Sequence, residues 1–169
     1  MGAVRRGGAA ADRPLAVVDI DGVVADVAHR LHHLEGVRKD WGRFFAGAVD
    51  DPPHPEGIAV VRRLEVDHEV VYLTGRPESL REPTQRWLDA QGIGDHRLVM
   101  RPVGARRPAA ILKVELLAEL AAGRAVAVVV DDDPLVLAAM EEAGVPTFAA
   151  GWGARSDTLL AAQEAEGRT

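Results

Sequence analysis

The sequence predicts an α/β domain built on a doubly wound, Rossmann-like parallel sheet of about five strands, with a small helical cap inserted after the first strand. Three observations carry this prediction. Short apolar runs rich in valine alternate with stretches of helical spacing along the whole chain. Three of these runs end in polar residues: Asp19 and Asp21 after the first, Thr74 after the second, Asp131 and Asp132 after the fourth. Residues 23–55 stand outside the alternation, with three of the seven aromatic residues close together at Trp41, Phe44 and Phe45 and the proline-rich turn DDPPHP.

Leu15 to Val18 reads as a central strand buried on both faces, because its residues are uniformly apolar. Gly22 lets the chain turn as it leaves that strand. Ala25 to Gly36 has helical spacing, with Val27, Leu31 and Leu34 on one face, and Asp40–Phe45 forms a further short helical piece. Pro55 opens a helix over Gly57 to Val66, facing in through Ile58, Val61 and Leu64. The second strand is Glu69 to Leu73, followed by Thr74-Gly75-Arg76-Pro77 and a helix from Pro83 to Ala90. A short strand, Arg97 to Met100, leads into a basic loop with Arg101, Arg106 and Arg107; no acidic residue lies between Asp95 and Glu115. A helix over Ala109 to Ala122 carries Lys113 near its start. The fourth strand, Ala125 to Val130, ends in Asp131-Asp132-Asp133-Pro134 and is followed by a helix from Leu135 to Ala143. Thr147 to Ala149 is the last strand, and Ser156 is positioned to cap a final helix. The expected organisation is a disordered tail over 1–13, one domain over 14–152, and a helix or tail over 153–169.

The length suits one domain with a sizeable core. No run approaches the roughly 20 apolar residues that span a bilayer, so no membrane association is expected. With no cysteine, disulfides, thiolate metal sites and a cysteine nucleophile are excluded, and a cytoplasmic setting fits. A formal charge of −6 argues against strong duplex DNA binding and requires any polyanion to meet a local basic patch. The segment GK is absent, and with it a P-loop.

In an open parallel sheet the ligand sits beyond the carboxyl ends of the strands. The polar residues delivered there are two aspartates two apart, a threonine before a glycine, and a second acidic pair. Neighbouring carboxylates at a strand end recruit a cation or a proton, and magnesium with oxygen ligands satisfies them. A carboxylate nucleophile suits phosphoryl transfer. Each residue also has an ordinary structural explanation: Thr74 as a turn residue, Lys113 as a solvated helix lysine, Asp131–Asp133 as acid at a helix N-terminus. His29, His32 and His33 fall on one helix face, and without a completing ligand set they read as a polar face beside the cleft. Arg76, Arg101 and Arg107 either bind substrate phosphate or pair with nearby carboxylates.

DIDGVV at 19–24, LTGR at 73–76, Lys113 and VDDD at 130–133 occur in the order of the four motifs of the haloacid dehalogenase (HAD) superfamily, which the chain resembles. Within it, the chain is most similar to the phosphatase domain of phage-type polynucleotide kinase-phosphatase. The shared features are the small insertion with Trp41, LTGRPE at 73–78, RPAAILKVELL at 107–117 and VVDDDPLVLAAMEEAGVPTF at 129–148. The likeness covers residues 14–152 and includes no kinase half.

The resemblance implies a magnesium-dependent phosphomonoesterase acting on a nucleic-acid 3′-phosphate or a nucleotide. It implies Asp19 as nucleophile and Asp21 as acid and then base. Thr74 and Gly75 would hold phosphoryl oxygens, with Arg76 and Arg107 as further substrate contacts. Lys113 would neutralise the transferred group, and Asp19, Asp21, Asp131 and Asp132 would be the metal ligands. Asp133 falls where the phage-type pattern is not acidic. A small-metabolite phosphatase of the same superfamily is the alternative. A receiver-type signalling module fits less well, because Lys113 precedes Asp131. A non-enzymatic scaffold finds no support in a complete set of motifs.

Overall fold

The computed structural model describes residues 13–153 and 157–166. The expected N-terminal tail, apart from Arg13, and the Ser156 cap lie outside the described residues. Five parallel strands form one sheet: β1 (Leu15–Val18), β2 (Glu69–Pro77), β3 (Arg97–Arg101), β4 (Val126–Asp131) and β5 (Thr147–Ala149), in spatial order β3-β2-β1-β4-β5. β1 is central, with Val18 opposite Tyr72 of β2 and Val130 of β4. The reversal of order beside β1 is where a doubly wound sheet opens a crevice.

Both faces of the sheet are covered, and alternation along β1 divides its side chains between them. Ala16 and Val18 pack in a core with Tyr72, Val61 and Leu88. Those partners come from the sheet and from α2 (Pro55–Asp67) and α3 (Arg81–Ala90). Leu15 and Val17 pack on the other face with Leu117, Leu120, Val136 and Met140, from α4 (Ala109–Ala121) and α5 (Pro134–Glu142). α3 begins two residues before the expected Pro83, because a proline in the first turn lacks only an N–H that has no helical partner.

The cap differs most from expectation. Ala28–Leu34 is 3-10 helix, not α-helix. Its tighter turn puts Val27, Arg30 and Leu34 inward and leaves Leu31 half-buried. α1 (Trp41–Ala46) follows, with the Asp40 carboxylate accepting from the Arg43 N–H at 2.9 Å. Trp41 and Phe44 meet edge to face, with ring centroids 5.7 Å apart. Leu159 and Ala162 of α6 (Asp157–Glu166) join Val27, Leu34, Trp41 and Phe44 in a third cluster, so the last helix completes the cap's own core.

α2 lies so close to the cap's entry that Gly57 has no room for a side chain: a Cβ there would overlap the Val23 carbonyl. Gly57→Ala is therefore expected to destabilise the protein by about 1–3 kcal/mol, read as a lower urea midpoint with an unchanged slope. No described helix is long and apolar enough to cross a membrane.

Candidate active site

β1 ends inside the fold, so Asp19 and Asp21 are only 7% and 6% exposed. Gly22 adopts φ +78°, and a Cβ at that position would overlap the Asp132 carboxylate. Its glycine therefore serves both the turn and the approach of the fourth strand's acids.

Two charge clusters result. The first joins Asp19, Asp131 and Asp132, each offering an oxygen within 4.8 Å of the others. Lys113, itself buried on α4, donates to Asp19 Oδ2 and Asp131 Oδ2 at 2.7 Å each. The Asp19 Oδ1 accepts from the Ile20 N–H at 2.8 Å, and Asp131 Oδ1 from the Asp133 N–H at 2.9 Å. Three carboxylates face one ammonium, a surplus of two negative charges when all are ionised. Burial, then repulsion from Asp131, pushes Asp19 up to about 7 despite Lys113. Burial, then Asp131 and Asp19, pushes Asp132 up to about 8. Lys113 is held charged by its two carboxylate partners against the cost of burial. A hard divalent cation fits this set of donors in charge and in ligand chemistry.

The second cluster links cap and core. Asp21 Oδ1 accepts from Arg76 Nε at 2.9 Å and from two further terminal guanidinium nitrogens, of Arg76 at 2.6 Å and of Arg30 at 2.9 Å. Both arginines also bind Asp51, which is fully buried in the turn that closes the cap. Trp87 Nε1 donates to the Asp51 carbonyl at 2.9 Å, and His29 Nε2 lies 2.8 Å from its carboxylate. Here two guanidiniums meet two carboxylates and the charge balances. Burial alone would raise the Asp21 pKa, but Arg76 and Arg30 outweigh it and hold the carboxyl below its ordinary value.

Arg76 reaches this position because β2 continues past Leu73, with a register irregularity between Thr74 and Pro77. Such an irregularity re-aims a side chain. Thr74 is 2% exposed, and its Oγ1 accepts from the Arg76 N–H at 3.2 Å. The strand ends expected from the sequence bring Asp19, Asp21, Thr74, Gly75, Arg76, Asp131 and Asp132 to one edge of the sheet, and Lys113, joined to them only through the family resemblance, reaches the same edge from α4. Arg107 stands apart: it is exposed and pairs with Glu115. Asp133, set aside from the sequence, is the N-cap of α5, its Oδ1 accepting from the Leu135 N–H at 2.8 Å. Arg30 and Asp51 were missed. The available signal for Arg30 was a charge on the inward line of an apolar helix face; Asp51 had none within its own segment.

A cavity of about 340 Å³ opens beside Asp132 and Gly22, walled by Pro134, Leu137, Ala149 and Gly151. The family model described as the polynucleotide kinase PNKP phosphatase domain matches residues 14–154. The chain belongs to this family.

As a PNKP phosphatase domain, the chain is a phosphatase of the HAD type. Solved structures agree. A chain of the Pnkp1/Rnl/Hen1 RNA repair complex superposes with TM-score 0.70 at 25% identity, over 86% of this chain and 45% of that one. This PNKP-type domain therefore spans less than half the length of that relative. A haloacid dehalogenase-like hydrolase of Streptococcus pneumoniae superposes with TM-score 0.62 at 13% identity, over 90% and 92% of the two chains. A HAD-hydrolase of Bacillus subtilis bound to magnesium does so with TM-score 0.57 at 8% identity, over 80% and 87%. These two likenesses concern the fold. No curated protein sequence matches the chain.

Proposed function

We propose that the chain is a magnesium-dependent phosphomonoesterase that works through an aspartyl-phosphate on Asp19 and acts on a nucleic-acid 3′-phosphate or a nucleotide. The observation that carries this reading is the buried Asp19, Asp131, Asp132 and Lys113 cluster with its surplus of two negative charges. Asp19, Asp131 and Asp132 would hold magnesium, as would the backbone carbonyl of Asp21. The ion would supply charge neutralisation at the phosphoryl oxygens. The RNA repair complex that contains the Pnkp1 relative supports a nucleic-acid end as substrate.

In this reading Asp19 Oδ attacks phosphorus and the ester oxygen leaves. Lys113 opposes the upward shift of the Asp19 pKa, a bound ion would complete its ionisation, and Lys113 then faces the transferred group. Thr74 Oγ1 and the Gly75 N–H donate to its oxygens. Asp21 gives a proton to the leaving oxygen, then takes one from the water that opens the acyl phosphate. The resting Asp21 is in the base form, held so by Arg76 and Arg30. For the first step Asp21 must take up a proton, from solvent or from a phosphate monoester that arrives as its monoanion, and the substrate's negative charge beside it favours that uptake. The absence of cysteine suits a cytoplasmic enzyme.

A pH signature follows. Asp19 and Asp132 have raised pKa values, so their contribution to metal-free stability is fully present below the ordinary carboxylate range and is lost as pH rises through about 7 to 8. Magnesium reverses that loss by binding the folded state. The magnesium-induced rise in Tm is expected to be larger at about pH 8.5 than at about pH 5.5; equal shifts at both would contradict the reading.

The reading is tested by phosphate release, with magnesium or EDTA, from a 3′-phosphorylated oligonucleotide, its 5′-phosphorylated twin, nucleoside 3′- and 5′-monophosphates and a sugar phosphate. Magnesium-dependent release strongest on the 3′-phosphates is expected. A preference for the sugar phosphate would keep the chemistry and discard the substrate.

A further inference from the structure

Next to the phosphate end of the site lies a second cleft that the chemistry does not use. It has a volume of about 170 Å³ and runs between Phe45 of α1 and the loop after β3, over Pro77, Arg101, Pro102 and Arg106. Arg101 is buried and fastens the loop to the sheet, donating from Nε to the Gly75 carbonyl at 3.3 Å and from a terminal nitrogen to the Arg107 carbonyl at 2.9 Å. Arg101, which lines the cleft, thus ties it to the residue that follows Thr74, beside which the phosphoryl group would sit.

Its walls combine two properties. Phe45 is half-buried, and its ring stacks on Trp41 with centroids 5.6 Å apart, so it presents a pre-set apolar surface. Pro77 and Pro102 add flat apolar surface. Arg106 at the rim is exposed and has no ion-pair partner among the described residues. Around it the chain from 96 to 114 contains no acid, although the protein as a whole carries −6. A cation beside flat apolar walls, within a protein that otherwise repels polyanions, matches an unpaired nucleotide: stacking holds the base and the arginine holds the backbone phosphate.

We infer that this cleft seats the single strand leading to the terminal phosphate, with Phe45 as base platform and Arg106 as backbone contact. The inference rests on the nucleic-acid 3′-phosphate reading and adds where the strand runs. A volume of about 170 Å³ and one exposed lining cation suit one or a few unpaired nucleotides, DNA or RNA.

The test compares kcat/KM for nucleoside 3′-monophosphates with that for 3′-phosphorylated tetranucleotides of DNA and RNA. The protein is used intact, as wild type, Phe45→Ala, Arg106→Ala and Arg106→Glu. The wild type is expected to favour the tetranucleotide by at least about tenfold. Arg106→Glu should remove most of that advantage and leave mononucleotide turnover unchanged, whereas Phe45→Ala, which takes away the base platform, should lower tetranucleotide turnover more than mononucleotide turnover. Arg106→Ala should also lower the salt slope for the tetranucleotide by about 0.7. Arg106 is exposed on a loop, so its variants report even if Phe45→Ala fails to fold. A tetranucleotide advantage that survives both Arg106 variants overturns the strand path and spares the substrate reading. Equal turnover of monomer and tetramer by the wild type overturns the path as well. Turnover of a simple aryl phosphate without turnover of any 3′-phosphate overturns the substrate reading, and the strand path with it.

Discussion

Asp19→Asn is expected to lower phosphate release by at least about a thousandfold while leaving the metal-free protein at least as stable as the wild type. The two halves of this expectation come from one geometry. Asparagine has the size of aspartate, and its one carbonyl oxygen can accept from Lys113, which now donates to Asp19 Oδ2 at 2.7 Å, so that the bond from the Ile20 N–H to Oδ1 at 2.8 Å is lost while a charge repulsion is relieved. What disappears is a nucleophilic oxygen and one of three crowded charges. The surroundings already favour the neutral form, with Asp19 pushed up to about 7 by burial and by Asp131. Removing the charge therefore relieves repulsion in the metal-free state. A thermal melt in EDTA and a phosphate assay in magnesium separate the effects. Retained turnover would exclude Asp19 as nucleophile, and a collapse in Tm would make the lost activity uninformative.

The second large effect is on stability. Asp51→Asn is expected to cost about 3–5 kcal/mol, read as a drop in urea midpoint. Asp51 is the carboxylate shared by Arg30 and Arg76, at 2.7 and 2.8 Å, and all three side chains are almost wholly out of solvent. Without its charge, two buried guanidiniums face Asp21 alone. The penalty is that of an uncompensated buried cation, far above what an exposed pair is worth. By contrast, Glu115→Gln, which breaks the exposed contact with Arg107, should change stability by less than about 1 kcal/mol. Equal effects of the two substitutions would mean that the cap-to-core network is not a buried one in solution.

Much of this site was legible because it is written in local patterns. Asp19, Asp21 and Gly22 follow an apolar strand directly, and Asp131 and Asp132 follow another, so strand periodicity alone sends them to one edge of the sheet. Lys113 was legible only through the family's motif order, since a lone lysine on a helix has no local mark of burial. Arg30 and Asp51 were not legible. They lie 21 positions apart, and their partner Arg76 lies 25 further on from Asp51. A buried ion pair of this kind is a long-range contact between elements of unremarkable composition. Arg76 was anticipated at the site, but not the extension of β2 that aims it, because a register irregularity leaves no periodic trace. The 3-10 geometry of Ala28–Leu34 escaped for a related reason: a seven-residue segment is too short to separate a period of 3.0 from one of 3.6.

The central claim is that turnover passes through a phosphate ester of Asp19 itself. The most direct measurement is to quench the enzyme in acid during turnover, reduce it with borohydride and map the peptide containing residues 15–30 by mass spectrometry. An acyl phosphate on Asp19 would be reduced to homoserine at that position, in magnesium and not in EDTA. Sustained turnover with residue 19 unmodified, or with the modification at Asp21 instead, would contradict the account.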